Sequence, residues 1–466
     1  MKPYSVFHFS GYNWIPHSKK VVLRYALDNA ISFEETLILP DEPLTKHLEE
    51  RSGMIERTLL ALHIIGGISY YKTCLPKTMH MGSGKLTRQE GNFWNSVYQN
   101  GLGQFFYENE IDFRGLVNFP VDDKRKPLTA KPPNYQPRIP AQPRVLVPIG
   151  GGKDSMVTLE LLKKSASNVT LLRMGGSHPI IDELAHASGL PLFNVKRLLS
   201  GNLFDLNADG ALNGHVPITA YLSILSVLIA QLYDFDAVAI SAERSASEGN
   251  LVWKGLEINH QWSKGLEFEK AFRRYLKECI GTDIQYFSAL RPFSELKIAE
   301  IFSQYPQYFD RVTSCNKNWK LKKLPSPGSN AAAGPGGGVG GGGWCGTCPK
   351  CAFVFAILSA FISKDRLVKM FGKNLFDNTD LLPLYRELLG IEKFKPFECV
   401  GSPEETKAAF LLAEKRGDFN DSPVMKMFQT EIRKTLLDPE TLIEKTLKPS
   451  AEHCIPEEFK RMIFGE

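Results

Sequence analysis

Between Lys20 and Leu27 the residues Val21, Leu23, Tyr25 and Leu27 recur at every second position, the spacing of one strand face. Ser32–Leu39 reads as a second strand, and residues 1 to about 40 as strand-rich throughout. From Leu44 to Tyr71 the spacing turns helical, with Leu59, Leu60, Leu62, His63 and Ile64 on a dense apolar face. Later in the chain, the short apolar runs Arg144–Ile149, Val169–Met174, Pro191–Val195 and Ala237–Ser241 predict buried strands. Helical spacing through Met156, Leu159 and Leu162, and across Ile180–Ser188, Ala220–Asp234 and Glu295–Gln304, predicts helices among them. This alternation argues an α/β fold, a doubly wound parallel sheet with its ligand at the strand carboxyl ends.

Seven prolines, at 127, 132, 133, 137, 140, 143 and 148, exclude a helix and predict a stiff, extended linker at 127–143. The expected organisation is an N-terminal α+β domain at 1–126, that linker, and a nucleotide-binding domain at 144–324. A glycine-rich flexible insertion at 325–343 cannot bury a core and reads as a tether. A cysteine-bearing, mostly helical region follows at 344–466, with Ser402 before Pro403, Glu404 and Glu405 as one helix start.

Composition adds limits. The chain of 466 residues is 43% hydrophobic and 23% charged, ordinary values for a globular protein. A net charge of +5 suits an enzyme that handles phosphates but is too weak to argue for nucleic acid. The start lacks a secretory apolar stretch, and the longest apolar run, Ala220 to Tyr233, is too short for a membrane span. A cytoplasmic, reducing setting is therefore expected, and the eight cysteines are not read as disulfides.

The segment RVLVPIGGGKDS, 144–155, carries the clearest chemistry. A glycine turn between a strand and a helix start presents backbone N–H groups to an anion, aided by the helix dipole. Gly150, Gly151 and Gly152 would donate to pyrophosphate, with Ser155 adding a hydroxyl. Lys153 would reach a phosphate or stand solvated at the rim, and Asp154 would serve Mg²⁺ or cap the helix. The residue order is not that of a Walker loop. It resembles the pyrophosphatase loop (PP-loop) of enzymes that split ATP into AMP and pyrophosphate, a loop that usually begins with Ser where Gly150 stands.

Cys345, Cys348 and Cys351 have CxxCxxC spacing, and Cys315 precedes the insertion. Four thiolates suit a structural Zn²⁺. An iron–sulfur cluster, a redox CxxC pair and unliganded thiols are the alternatives. His215, between Gly214 and Pro217, suits proton transfer or phosphate contact. Glu243 and Arg244 follow the strand Ala237–Ser241, where Arg244 could grip a carboxylate or phosphate. Asn259, His260, Gln261 and Lys264, beside Trp262 as a stacking surface, suit recognition of a polar substrate. Cys399 is a candidate base, as thiolates serve in some racemases.

The loop, LRPFSELKIAEIF and the cysteines over 144–355 resemble cyano-deazaguanine synthase. A second likeness spans nearly the whole chain. HIIGGISYYKTCLP, GLGQFFYENEIDF, GGGKDS, NGHVPITA, SAERSASEGN, NHQWSKGLEFE, WCGTCPKCAFVF and KPFECVGSPEE together resemble the ATP-dependent UDP-N-acetylmuramoyl-L-alanyl-L-glutamate epimerases. The resemblance implies an adenine-nucleotide α-hydrolase-like fold, ATP, Mg²⁺ and structural Zn²⁺, and a UDP-linked muramoyl dipeptide substrate. It implies carboxylate adenylation with release of AMP and diphosphate. The alternative is a ligase or amidating enzyme that adenylates a different carboxylate.

Overall fold

The computed structural model describes residues 4–125, 142–164, 168–315, 317, 343–392 and 394–465. Most of the linker expected at 127–143 and of the insertion expected at 325–343 lies outside them. The strands are β1 (Val6–Ile15), β2 (Lys20–Leu27), β3 (Ile31–Ile38), β4 (Thr78–Met81), β5 (Arg144–Pro148), β6 (Asn168–Met174), β7 (Leu192–Leu198), β8 (Ala237–Ile240), β9 (Leu251–Trp253), β10 (Leu256–Ile258) and β11 (Gln285–Ser288). Nine of them form one sheet in the order β11-β8-β5-β6-β7-β3-β2-β1-β4, and β9 and β10 pair apart as a hairpin.

Strands β11, β8, β5, β6 and β7 run parallel. Helices cover both of their faces, because side chains alternate across each strand. Val145 and Val147 of β5 enter one core, with Met156, Leu296 and Phe353 of the helices Lys153–Lys163, Glu295–Phe302 and Pro349–Ser359. Leu146 enters the other, with Leu59 and Ile224 of the helices Ser52–Tyr71 and Ile218–Leu232. Their near-continuous apolar character follows from burial on both sides. Among the described residues no helix is long and apolar enough to cross a membrane.

The N-terminal strands extend this same sheet. β3 pairs antiparallel with β7 through Thr36–Leu198, Leu37–Arg197 and Ile38–Lys196. The strands of the α+β domain expected at 1–126 thus share a sheet with the parallel half. β7 also runs past the expected end at Val195, because pairing with β3 holds the polar residues Lys196 and Arg197 in register. His63, expected on an apolar helix face, is fully buried and shares a 2.9 Å hydrogen bond through Nε2 with the Arg24 carbonyl. Burial lowers its pKa to about 4, so the ring is neutral near pH 7. The helices Arg88–Gly101 and Gly103–Glu108 and the strand β11 had no counterpart in the pattern reading.

A buried carboxylate closes the seam between the halves. Glu35 accepts two hydrogen bonds from Arg197, at 2.8 and 3.0 Å, and one each from the Tyr221 and Tyr70 hydroxyls, at 2.6 and 3.0 Å. The Arg197 guanidinium also lies 3.9 Å from the Tyr221 ring centroid. Removing one charge of such a pair leaves the other uncompensated in a dry site. Glu35→Gln should therefore cost about 3 kcal/mol of stability, read as a lowered urea midpoint in equilibrium unfolding.

Candidate active site

β5 lies between β6 and β8, the point where strand order reverses and a crevice opens at the carboxyl ends. Gly150–Gly152 follow it there. Gly151 adopts φ +84°, a left-handed conformation that favours glycine. Gly152 caps the helix Lys153–Lys163, and the Ser155 hydroxyl donates to its carbonyl at 3.1 Å. A Cβ at Gly150 would meet nothing within 4 Å, so a serine would fit where this chain has glycine.

Lys153 is not solvated at the rim. It is 3% exposed and ion-paired with Asp154 and Glu295. Burial alone would lower its pKa, but the two carboxylates outweigh it and hold the ammonium charged above its ordinary range. Asp154 does not cap the helix. Although burial favours its neutral form, Lys153, Lys350 and Lys264 together lower its pKa, and it stays an anion. Lys350 stands 3.7 Å from the other oxygen of Glu295 and donates to the Cys399 carbonyl. Lys350 and Glu295 had no role in the sequence reading, although Lys350 sits between two of the clustered cysteines and Glu295 in the quoted LRPFSELKIAEIF block.

Cys399 also has a partner that sequence proximity could not show. Lys264 Nζ lies 3.2 Å from its Sγ and 3.4 Å from Gln261 Oε1. Burial would discharge Lys264, but Cys399, Glu243 and Asp154 raise its pKa instead. Glu243, three residues past β8, is 2% exposed, and its Oε1 has no hydrogen-bond partner among the described residues. An orphaned buried carboxylate oxygen in this position is available to a ligand.

Lys264 and Cys399 line a cavity of about 700 Å³, with Lys72, Arg197, His215 and His260. The two histidine rings pack with centroids 4.6 Å apart, and His260 Nδ1 is 2.5 Å from Gln104 Oε1. Burial, with positive neighbours added, lowers both pKa values to about 3. Both rings are neutral near pH 7, so the proton transfer expected of His215 is disfavoured and a neutral hydrogen-bonding role fits better. Arg244 differs from expectation too. Its guanidinium donates to the carbonyls of Lys448 and Thr446, at 3.0 and 3.1 Å, and does not line the cavity. Asn259 braces the backbone at Ala246 and Gln261, at 2.9 and 2.7 Å. Trp262 is mostly buried, edge-on to Phe268, and lines a different cavity from Lys264 and Cys399. Gln261 and His260 do line the cavity.

The ligand atoms of Cys315, Cys345, Cys348 and Cys351 all lie within 4.8 Å of one another. Sγ of Cys351 is 3.7 Å from that of Cys345 and 3.4 Å from that of Cys348. Tetrahedral zinc at about 2.3 Å from each sulfur separates them by about 3.8 Å, so the four thiols fit a metal such as zinc. Four converging sulfurs also exceed what a dithiol redox pair needs. The cluster is tied to the glycine loop: Thr313 N donates to the Gly151 carbonyl at 2.8 Å, and Cys315 N donates to Thr313 Oγ1 at 3.2 Å.

Deeply buried, closely paired charges beside a sheet's switch point are a common mark of an enzyme site. Comparison with known proteins narrows the class. The chain belongs to the MurL family: the family model of the MurL N-terminal domain matches residues 1–289, and that of the MurL C-terminal domain matches residues 311–442. A relative from Xanthomonas oryzae pv. oryzae is 37% identical over 93% of this chain and 91% of its own length. One from Salinispora tropica is 37% identical over 90% and 87%, and one from a Micromonospora species 35% identical over 98% and 97%. All three bear the name UDP-N-acetyl-alpha-D-muramoyl-L-alanyl-L-glutamate epimerase.

Elemental analysis of the purified protein should find about one zinc per chain, without the visible absorption of an iron–sulfur cluster. Cys348→Ser should lose the metal and melt several degrees lower, because metal binding is coupled to folding. Iron with sulfide would reverse the assignment.

Proposed function

We propose that this chain is an ATP-dependent epimerase that inverts the terminal L-glutamate of UDP-MurNAc-L-Ala-L-Glu, supplying a D-glutamyl precursor of peptidoglycan. The observation that carries the reading is convergence. Lys350 touches both Glu295, the partner of the glycine-loop lysine, and the Cys399 carbonyl, so an anion-activating loop and a thiol–ammonium pair share one site. An α-proton beside a free carboxylate is poorly acidic, since its removal would place two negative charges on one enolate. Adenylation removes that obstacle.

In this reading Gly150–Gly152 and Ser155 hold the ATP phosphates in a PP-loop manner. Lys153 lends positive charge, and Asp154 is the residue that would hold Mg²⁺, which screens the phosphates. The substrate carboxylate attacks the α-phosphorus. A carboxyl-oxygen–phosphorus bond forms, the α–β bridging bond breaks, and diphosphate leaves. The Cys399–Lys264 pair takes the α-proton of the acyl-adenylate, and an acid on the opposite face, replenished from solvent, returns one. Water then cleaves the mixed anhydride, giving the D-glutamyl product and AMP. Gln261 and His260 would contact the substrate, and Zn²⁺ would be structural. The setting would be cytoplasmic, where thiols stay reduced.

Incubation with ATP, Mg²⁺ and UDP-MurNAc-L-Ala-L-Glu should give diphosphate and D-glutamyl product in parallel, with solvent deuterium entering the α-carbon. Diphosphate without inversion would point instead to a ligase or amidating enzyme. Asp154→Ala should reduce diphosphate release by about 100-fold or more. Cys399→Ala should retain diphosphate release while α-hydrogen exchange falls roughly 10²–10⁴-fold.

A further inference from the structure

The cavity wall opposite in sequence to the thiol carries a charge that the proposed reaction has not used. Lys72 ends the helix Ser52–Tyr71 and is only 5% exposed. Its Nζ donates to Asn213 Oδ1 at 2.8 Å and lies 5.8 Å from the centre of the Phe105 ring. No carboxylate pairs with it among the described residues. Burial lowers its pKa to about 8, with no opposing charge to hold it up. Its neighbour Arg197 also lines the cavity, but the two oxygens of Glu35 already neutralise that guanidinium. The uncompensated positive charge of this wall therefore belongs to Lys72.

A nearly buried ammonium facing a cavity, with only a neutral amide and a ring for company, is costly unless something anionic enters. Lys72 shares its cavity with Lys264 and Cys399. We propose that Lys72 binds a second anionic group of the substrate, distinct from the carboxylate that is activated, and so fixes which muramoyl peptide the cavity accepts. The proposal rests on the epimerase reading for the identity of that substrate. There, two sources offer anionic oxygens: the side-chain carboxylate of the terminal glutamate and the diphosphate of the UDP group.

The test uses the full chain, zinc-loaded, with Lys72→Met to remove the charge at similar length and Lys72→Arg to keep it. Calorimetry would measure binding of UDP-MurNAc-L-Ala-L-Glu without ATP, and steady-state assays would give kcat and KM. Lys72→Met should weaken binding and raise the dipeptide KM about 10- to 100-fold, with kcat and the KM for ATP within a few-fold of wild type. Lys72→Arg should restore most of the affinity. Two analogues separate the sources. If the side-chain carboxylate is the partner, the wild type should bind the L-Ala-L-Gln analogue as weakly as Lys72→Met binds the parent, and Lys72→Met should lose nothing further with it. If the diphosphate is the partner, the analogue lacking UDP should behave so instead.

Unchanged affinity of Lys72→Met for the parent and both analogues would overturn the proposal. So would a parallel loss of zinc content and ATP affinity, which would mark a purely structural lysine. Should Lys72→Met fail to fold, Lys72→Arg and the wild-type analogue series decide: wild-type binding indifferent to both deletions would also overturn it. Failure of the reaction itself is separable. A wild type that binds the dipeptide without inverting it, and loses that binding in Lys72→Met, keeps the subsite and loses the epimerase reading.

Discussion

One buried carboxylate between two buried ammonium groups holds the glycine-loop end of this fold together. Glu295 pairs with Lys153 of the loop helix and stands 3.7 Å from Lys350 of the helix Pro349–Ser359. Each of the three groups would be costly alone at this depth, so the helices that carry them are constrained to meet. The Glu295 backbone is fixed as well: its N–H donates to Glu405 at 3.1 Å, and Glu405 itself closes the capping box of the helix Pro403–Arg416 with Ser402. Burial and the proximity of Glu295 push the Glu405 pKa up to about 7. The charge arrangement beside the glycine loop and the docking of the C-terminal helices are thus one energetic problem with one solution.

The cysteine cluster braces the same region from its other side. Cys315 lies two residues from Thr313, which holds the Gly151 carbonyl, and Cys351 lies next to Lys350. A metal there would fix the glycine loop and the lysine that reaches Cys399 relative to one another, without touching substrate. Such a brace would let the cluster position the loop from outside the cavity.

What could be read from the chain alone was whatever is local. β2 has the expected bounds, the glycine loop sits after a buried strand as expected, and CxxCxxC spacing brought three thiols to one centre because neighbours along a turn share a face. The pairings that complete the site are long-range. Lys264 meets Cys399 across 135 positions, and Arg197 meets Glu35 across 162. No periodicity encodes such meetings; they follow from strand order. Lys72 lay within a quoted block but drew no role, since only the fold places its ammonium in a cavity without a counter-charge. Arg244 shows the reverse: a strand-end arginine suited a ligand on paper, yet the chain uses its fork to hold the carbonyls that end a helix.

The order of the strands carries a consequence for how the protein is made. All nine strands of the main sheet are complete by Ser288, before Glu295, Lys350, Cys399 or any cysteine of the cluster has been added. Ribosomal synthesis then needs roughly ten further seconds to reach Cys399. At the start of that interval the nascent chain can close its sheet around Glu35 and Arg197, yet the Gly151 carbonyl still lacks Thr313, Lys153 lacks Glu295 and Lys264 lacks Cys399. An incomplete chain therefore has its strands but not the long-range pairs that fix the glycine loop and the Cys399 thiol. The last third of the polypeptide thus completes the charge arrangement that the sheet only begins.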